Sequence, residues 1–345
     1  MHRKYTAPSG AAVFATGTSL GPSSLSAPLG VAADSARDRR HFRGNGRLGG
    51  TDAARAPPEL RRLRVHRQRA CCPTASRQAP PVTAAARWAE ALAAWAIPDA
   101  ILAAAPESPW GFPSGVFVEV ARAALDGSPT PTHRRAAAAL PPGGVVLDVG
   151  SGAGAASLPL APPAGRIVAV DQDAEMLRAL ADLGAGRADI ELVAGRWPDA
   201  ADRVGPVDVV VCANVAYNVA DLGGFVAALA AVARHRVVLE LSARHPQEPL
   251  GPLWRHFWGI ARPEGPTADD ALAVVREATG APVSTERWER SRAFMGDRGP
   301  ETVAWVRRRL CLPAEADVEV AEQLDRLAEL APSAMVTLWW PDQAE

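Results

Sequence analysis

Lysine is almost absent from this 345-residue chain: Lys4 is the only one, and arginine supplies nearly all of the positive charge. Cysteine is also rare, and the thiols of Cys71, Cys72, Cys212 and Cys311 follow no metal-ligand spacing. The adjacent pair does not easily form a disulfide, so we expect reduced thiols, a cytoplasmic location and no bound metal. No apolar run reaches the ~18 residues that a membrane span requires, which argues against a membrane protein.

Charge is distributed unevenly along the chain. Residues 1–80 contain 14 Lys or Arg and 4 Asp or Glu, a net charge of +10, whereas the whole chain carries −1. Residues 81–345 therefore carry about −11, which argues against nucleic-acid and anionic-lipid partners. Residues 1–82 also show no helical or strand periodicity and few large apolar side chains, so we expect a disordered basic tail. The alternative is an over-long start, with translation beginning at Val82.

The centre of the sequence is a short apolar run that ends in alternating glycines. Residues 145–149 have the length and β-branched content of a buried strand, and Gly150-Ser151-Gly152-Ala153-Gly154 follows directly. Glycine at every second position permits positive φ and lets backbone amides approach a ligand closely. We expect the alanines after this loop to begin a helix whose N-terminal amides face the same crevice, and we expect Pro159, Pro162 and Pro163 to keep this helix short or kinked.

Downstream of the loop, short apolar runs alternate with Ala-rich stretches of helical composition. This alternation predicts an α/β fold with a doubly wound, mostly parallel sheet. Further strands are predicted at 166–170, 190–193, 207–212, 236–241, 283–287 and 335–340. Helices are predicted at 83–97, 98–105, 114–125, 130–139, 174–183, 222–233, 268–279, 301–309 and 314–330.

These elements predict one folded domain over residues 83–345, divided into four parts. Residues 83–140 form N-terminal helices, and residues 141–242 form the core that carries the glycine loop. Residues 243–300 form an insertion and the sixth strand, and residues 301–345 form C-terminal helices and the last strand. The insertion is rich in proline and aromatic residues and follows the fifth strand, so we expect it at the carboxyl edge of the sheet as a substrate lid.

The glycine loop, with Asp148 before it and Asp171 at the end of the next strand, resembles the class I S-adenosylmethionine-dependent methyltransferases. The resemblance covers residues 141–241 in motif detail. It implies a Rossmann-like sheet of seven strands whose last strand is antiparallel, with S-adenosyl-L-methionine as the cofactor. It also implies that the strands predicted at 283–287 and 335–340 complete the sheet as a pair.

The resemblance assigns roles around the cofactor. Asp148 would hold the glycine loop and reach the methionine part through water, while Gly150, Ser151, Gly152, Ala153 and Gly154 pass beneath the cofactor. Asp171 would accept both ribose hydroxyls, which suits a carboxylate because it is an acceptor only. The other residues implied by the resemblance are Gln172 and Met176 at the adenine, Gly195, Arg196 and Trp197 after the third strand, and Ala213 and Asn214 at the methyl-donor end. Arg196 stands where the family often has an acidic residue facing the adenine, which leaves stacking by Trp197 as the alternative contact.

No catalytic residue is evident from the sequence. Methyl transfer from a sulfonium requires mainly alignment in a water-poor pocket, and a base is needed only when the acceptor must lose a proton. Candidate bases are Tyr217, His256 and His245, each with packing as the alternative role. Cys212 is a candidate nucleophile or, alternatively, a small core residue.

Two rival functions fit parts of the pattern. Gly150, Gly152 and Ala155 also fit the dinucleotide-binding fingerprint, with Asp171 about 20 residues on, so an NAD-dependent oxidoreductase is one rival. A cofactor-binding module without catalysis is the other. Asp148 before the loop, the preceding helices and the chain end soon after a seventh strand favour the methyltransferase.

The expected acceptor is a small molecule or a protein side chain. The loop after the fourth strand lacks the Asn/Asp-Pro-Pro-Tyr pattern of enzymes that methylate exocyclic or amide nitrogens. No Pro-Cys occurs where cytosine C5 enzymes carry their nucleophile, and the acidic body argues against nucleic acid. Aromatic residues at Trp110 and in 254–258 favour a partly apolar small molecule.

Overall fold

The computed structural model describes residues 82–110, 114–290, 299–327 and 333–341. The predicted basic tail and the hypothesis of an over-long start fall almost entirely on residues 1–81, outside the described residues. Within the described ranges, no helix is long and apolar enough to cross a membrane.

The described residues contain a seven-stranded sheet with the order β3-β2-β1-β4-β5-β7-β6. Strands β1 to β5 run parallel to one another, and β7 is antiparallel to both β5 and β6. The predicted α/β, doubly wound architecture is therefore confirmed, with the last strand antiparallel. The strands are β1 (Val145–Val149), β2 (Arg166–Asp171), β3 (Asp189–Ala194), β4 (Val207–Ala213), β5 (Ala233–Ser242), β6 (Ser284–Arg290) and β7 (Ser333–Trp340).

Helices cover both faces of the sheet, which explains why the central strands are apolar on both sides. In β1, Leu147 and Val149 belong to the hydrophobic cluster that includes residues of α1, α6 and α8, whereas Val146 belongs to the cluster that includes residues of α4 and α5. The helices are α1 (Ala84–Ala93), α2 (Asp99–Ala103), α3 (Ser114–Asp126), α4 (Pro131–Ala137), α5 (Ala174–Gly184), α6 (Leu222–Val232), α7 (Gly251–Trp258), α8 (Ala268–Thr279), α9 (Pro300–Arg309) and α10 (Asp317–Arg326).

Local sequence signals fix several helix starts. Asp173 caps α5 by accepting from the amides of Glu175 and Met176. Thr267 and Asp270 form a reciprocal capping box at α8, which begins and ends where the sequence predicts. These caps set the direction in which each helix leaves the carboxyl edge of the sheet.

A third hydrophobic cluster joins α2, α7, α9 and α10, and we call these four helices the helical cap. Its buried residues include Ile101, Trp254, Val306 and Val320. Helix α7 follows β5, and α9 and α10 lie in the chain between the end of β6 and the start of β7. Since β6 ends and β7 begins at the edge where β5 ends, both connections leave from the carboxyl edge of the sheet.

The described residues contain no α-helix directly after the glycine loop, where the sequence predicts a short or kinked helix. Residues 155–163 form turns and one 3-10 helix, Leu158–Leu160. Pro159, Pro162 and Pro163 explain the difference, because proline lacks an amide donor and its ring clashes with the preceding helical turn.

Candidate functional site

The glycine loop has the backbone conformation that its sequence predicts. Gly150, Gly152 and Gly154 have φ values of 67°, 49° and 90°, which is the left-handed region that favours glycine. A Cβ on Gly150 would lie 2.4 Å from Val215 Cγ2, and one on Gly154 would lie 2.7 Å from Leu158 Cγ. A Cβ on Gly152 would lie 3.8 Å from Phe117 Cδ1, which is an ordinary van der Waals distance, so the middle of the loop could accommodate a methyl group.

Strand β2 anchors this loop. The amides of Gly150 and Ser151 donate to the carbonyl of Val170, at 2.8 and 3.2 Å. The amide of Gly152 donates to Asp171 Oδ2 at 2.8 Å, and the amide of Asp173 donates to Asp171 Oδ1 at 2.9 Å. Asp171 therefore fixes both the glycine loop and the turn into α5. Each carboxylate oxygen has a second lone pair, so the side chain still has capacity to accept from a ligand.

Asp148 presents the opposite situation, because neither of its buried carboxylate oxygens accepts a hydrogen bond from a described residue. Burial raises the pKa of Asp148 to about 7, and the charge of Asp171 adds to the increase. The nearby Ser157 hydroxyl acts in the opposite direction and lowers the Asp148 pKa, although it is not placed to form a hydrogen bond with the carboxylate. A buried carboxylate without a donor is costly, so this position is suited to a ligand that carries N–H or O–H groups.

The residues implied for the adenine side lie at the ends of β2 and β3. Arg196 Nε donates to Gln172 Oε1 at 2.7 Å, and both side chains are exposed. The amide of Gly195 donates to the carbonyl of Asp171 at 2.9 Å. Met176 and Trp197 are buried, and Trp197 Nε1 has no hydrogen-bond partner among the described residues. The structure thus brings these five residues to the same edge as the glycine loop.

The segment after β4 adjoins the loop on its other side. Ala213 is half-buried, and Asn214 adopts a left-handed φ of 61°, which is uncommon for a residue with a side chain. The amide of Asn214 donates to the carbonyl of Glu240 at 2.8 Å. Val215 then lies against Gly150, as the 2.4 Å approach to a Gly150 Cβ shows.

Tyr217 and His245 pack in an aromatic group with Trp88 and Trp95. The Tyr217 hydroxyl donates to the carbonyl of Ser242 at 2.8 Å, and burial raises the Tyr217 pKa well above its usual value, with Asp270 and Asp269 adding to the increase. His245 stacks on Trp95 with ring centroids 3.8 Å apart. Burial lowers the His245 pKa to about 3, so the ring is neutral at physiological pH. Its Nδ1 accepts from the amide of Gln247 at 3.3 Å.

His256 and Cys212 lie in different surroundings. His256 Nε2 on α7 is 2.9 Å from Glu319 Oε1 on α10, which ties together two helices of the helical cap. Cys212 is a buried free thiol inside β4, and burial raises its pKa well above the usual value, with the charge of Asp148 adding to the increase. Cys212 therefore remains a protonated thiol at neutral pH.

Sequence reasoning missed a polar cluster beside Asn214. Glu240 is a buried acid in the otherwise apolar sequence 237–241, and it contacts Thr132, Asn214 and Arg290. The charged residue Glu240 inside this buried strand was the sequence signal that could have indicated the cluster. Its partners come from distant parts of the chain and have no local pattern.

The family described as "Methyltransferase domain" matches residues 146–236. This segment runs from β1 into the first part of β5 and contains the glycine loop, Asp171 and Asn214. No curated protein matches the sequence. The family match favours methyl transfer over the NAD-dependent and non-catalytic alternatives.

Several solved structures resemble the chain at low identity. The YcgJ protein of Bacillus subtilis shares 15% identity over 66% of this chain and 96% of its own, with a TM-score of 0.39. Magnesium protoporphyrin IX methyltransferase of Synechocystis with bound SAH shares 14% over 66% and 83%, with a TM-score of 0.38. An rRNA methylase of Streptococcus thermophilus shares 11% over 61% and 95%, with a TM-score of 0.36.

The strand order, the anchored glycine loop and the matched segment lead to one conclusion. Residues 146–236 match the methyltransferase domain family, and this match supports methyl transfer with S-adenosylmethionine as the cofactor.

Proposed function

We propose that this methyltransferase acts on a small-molecule acceptor that enters between the glycine loop and the helical cap. The observation that carries the proposal is the pair of carboxylates on either side of the loop. Asp148 in β1 has no hydrogen-bond partner among the described residues, and Asp171 at the end of β2 already fixes the loop. The two strands are parallel neighbours, so both acids lie toward the same edge of the sheet.

The residues present fit S-adenosylmethionine. The unpartnered carboxylate of Asp148 suits the amino group of the methionine part, which supplies N–H donors. Asp171 suits the ribose hydroxyls, because a carboxylate is an acceptor only. We assign the adenine end to Gln172, Met176, Gly195, Arg196 and Trp197. The loop of Gly150, Ser151, Gly152, Ala153 and Gly154 lies beneath the cofactor, and Ala213 and Asn214 lie at the methyl-donor end.

When bound, S-adenosylmethionine supplies an electrophilic methyl group on a sulfonium. The contribution of the protein is to align an acceptor with that group and to exclude water. The helical cap provides apolar cover at the carboxyl edge through buried residues such as Trp254 and Phe257. Acceptor specificity would then depend on the inner surface of the helical cap.

We propose that none of the three candidate bases removes a proton. The Tyr217 hydroxyl is committed to the Ser242 carbonyl, and the raised pKa keeps the phenol protonated. Since His245 Nδ1 accepts from an amide, its lone pair is occupied. His256 is paired with Glu319 within the helical cap. Alignment therefore accounts for catalysis without a protein base.

Transfer of a labelled methyl group tests this proposal. The full chain would be incubated with methyl-labelled S-adenosylmethionine and a cell extract separated into small-molecule, protein and RNA fractions. We expect label in the small-molecule fraction, and much less label with the Asp171→Ala variant. Label confined to the protein or RNA fraction would contradict the proposed acceptor class, and no label in any fraction would contradict catalysis.

A further inference from the structure

We propose that Arg290 binds a carboxylate group of the methyl acceptor and that Glu240 is the positioning residue that holds Arg290 in place. This inference rests on the proposed function, because it concerns the acceptor of the same site. The site comprises Arg290, Glu240 and Asn214. These residues come from the end of β6, from β5 and from the segment after β4.

Glu240 is held by donors from three separate elements. Thr132 Oγ1 at the start of α4 donates to Glu240 Oε2 at 2.6 Å. Asn214 Nδ2 donates to Oε1 at 3.2 Å, and Arg290 Nη1 donates to the same oxygen at 2.8 Å. Both carboxylate oxygens are therefore engaged, and the acid acts purely as an acceptor.

The hydrogen bonds behind Glu240 have a defined direction. The Thr132 hydroxyl uses its only hydrogen on Glu240, so the Thr337 hydroxyl must donate to Thr132 across their 2.9 Å contact. Trp288 Nε1 in turn donates to Thr337 Oγ1 at 3.0 Å. Each side chain in this series of hydrogen bonds, from Trp288 through Thr337 and Thr132 to Glu240, has a partner. The series therefore fixes the orientation of the Glu240 carboxylate.

Arg290 links this buried chain to the solvent. Its Nη2 donates to Asn214 Oδ1 at 3.2 Å, so both sides of the Asn214 amide are oriented by the cluster. The Arg290 side chain is 37% exposed, whereas that of Glu240 is 6% exposed. The guanidinium is thus immobilised on its inner side and open on its outer side.

The position of Arg290 follows from its neighbours. Arg290 contacts Asn214, the next residue Val215 lies against Gly150, and Gly150 begins the glycine loop. Strand β6 ends at Arg290, and its antiparallel partner β7 begins opposite it at Ser333, so the guanidinium lies at the carboxyl edge. A group bound by Arg290 would therefore lie beside the methyl-donor end of the cofactor site.

The energetics favour a role in recognition over one in stability. Burying one member of an ion pair costs solvation free energy, and apolar residues of similar volume often stabilise a protein equally well. An immobilised guanidinium, in contrast, offers a planar fork of donors that matches a carboxylate. Because Glu240 adds a negative charge beside the fork, a singly charged carboxylate suits the site better than a doubly charged phosphate.

Paired ligands of equal shape test the inference on the full chain saturated with S-adenosylhomocysteine. The probes are acetate, hexanoate and benzoate, each compared with its neutral amide by ligand-observed NMR titration. We expect at least one carboxylate to bind about tenfold more tightly than its amide, and Arg290→Gln to remove that preference. Arg290→Lys keeps the positive charge but lacks the planar arrangement of donors, so it should retain only part of the preference for the carboxylate.

Arg166→Gln is the matched control, because Arg166 is also exposed and paired with carboxylates but lies at the start of β2, on the opposite edge. It should leave the preference unchanged. The affinity for S-adenosylhomocysteine and the melting temperature verify that each variant folds.

Equal binding of every acid and its amide, or an unchanged preference in Arg290→Gln, would overturn the inference while leaving the methyltransferase intact. Failure of the wild-type protein to bind S-adenosylhomocysteine would instead overturn the proposed function, and the inference with it.

Discussion

The carboxyl edge of the sheet has a half at β1 to β3 that we assign to the cofactor and a half at β5 to β7 that we propose for the acceptor, and the two are built in different ways. The cofactor half, at β1 to β3, is assembled from residues close together in sequence: Asp171 is 19 residues from Gly152, and Asp173 is 2 residues from Asp171. The acceptor half, at β5 to β7, is assembled from distant residues: Glu240 is 108 residues from Thr132 and 50 from Arg290. The family match ends at residue 236, before Glu240. In our proposal, the shared reaction therefore depends on a local motif, and acceptor specificity depends on contacts between residues distant in sequence.

Ionisation of Asp148 should give the largest effect in the cofactor half. Its folded pKa, about 7, lies above the usual 3.8 of an aspartate carboxyl group, so the native state binds the proton more tightly than the unfolded state. The favourable contribution is fully present below about pH 4 and is lost as pH rises through 7. At 1.36 kcal/mol per pKa unit, the loss amounts to roughly 4 kcal/mol.

Denaturant unfolding between pH 4 and pH 8 checks this expectation, with Asp148→Asn as the variant. The wild-type protein without ligand should lose stability over this range relative to Asp148→Asn, which has no carboxyl to ionise. Parallel stability curves for the two proteins would contradict a raised pKa. The Asp171 carboxylate differs from that of Asp148, because it already accepts hydrogen bonds from two backbone amides.

The glycine loop offers a matched pair of substitutions. Gly150→Ala combines positive φ with a Cβ placed 2.4 Å from Val215, so we expect a loss of about 3 kcal/mol in the free energy of unfolding. Gly152→Ala carries the same backbone strain but has space for its Cβ, so we expect a loss of about 1 kcal/mol. Urea unfolding of both variants measures the difference. Equal losses would show that Val215 does not pack tightly on the loop.

Asp171→Ala should weaken binding of S-adenosylhomocysteine by about 2 kcal/mol, or roughly 30-fold, on the scale of a charge-assisted hydrogen bond. Isothermal titration calorimetry measures this affinity. Asp189→Ala is the control, because Asp189 begins the neighbouring strand β3 at the amino edge and is exposed. An affinity unchanged by Asp171→Ala would place the ribose elsewhere.

Tyr217→Phe should have the smallest effect. It removes a hydrogen bond to the Ser242 carbonyl, so we expect a loss of about 1 kcal/mol in stability with little change in the rate of methyl transfer. Thermal unfolding and the labelled-methyl assay measure the two quantities. A rate reduced a hundredfold or more in a folded variant would restore Tyr217 as a candidate base.

The fold could be predicted from the sequence where the pattern is local. The bounds of β1 and α8 match the prediction, since a strand breaker and a capping box define them. No α-helix forms in the described segment after the glycine loop, although its alanines favour one, because Pro159, Pro162 and Pro163 exclude it. In this segment the backbone restriction imposed by proline outweighed the helix propensity of alanine.

The candidate site shows the same division. The sequence pattern identified Asp148, Asp171 and the glycines, which lie within one strand-loop-strand unit. It did not identify Glu240 or Arg290, because they are 50 residues apart in sequence and their contact depends on how β5, β7 and β6 are ordered. The network of Thr132 and Thr337 likewise joins residues 205 positions apart.

Calorimetric titration of the full chain with S-adenosylhomocysteine and, in parallel, with NAD tests the central claim most directly. We predict saturable binding of S-adenosylhomocysteine with one site per chain and no binding of NAD at the same concentrations. Binding of NAD alone, or of neither compound, would contradict the assignment of the crevice beside Asp148 and Asp171 to S-adenosylmethionine.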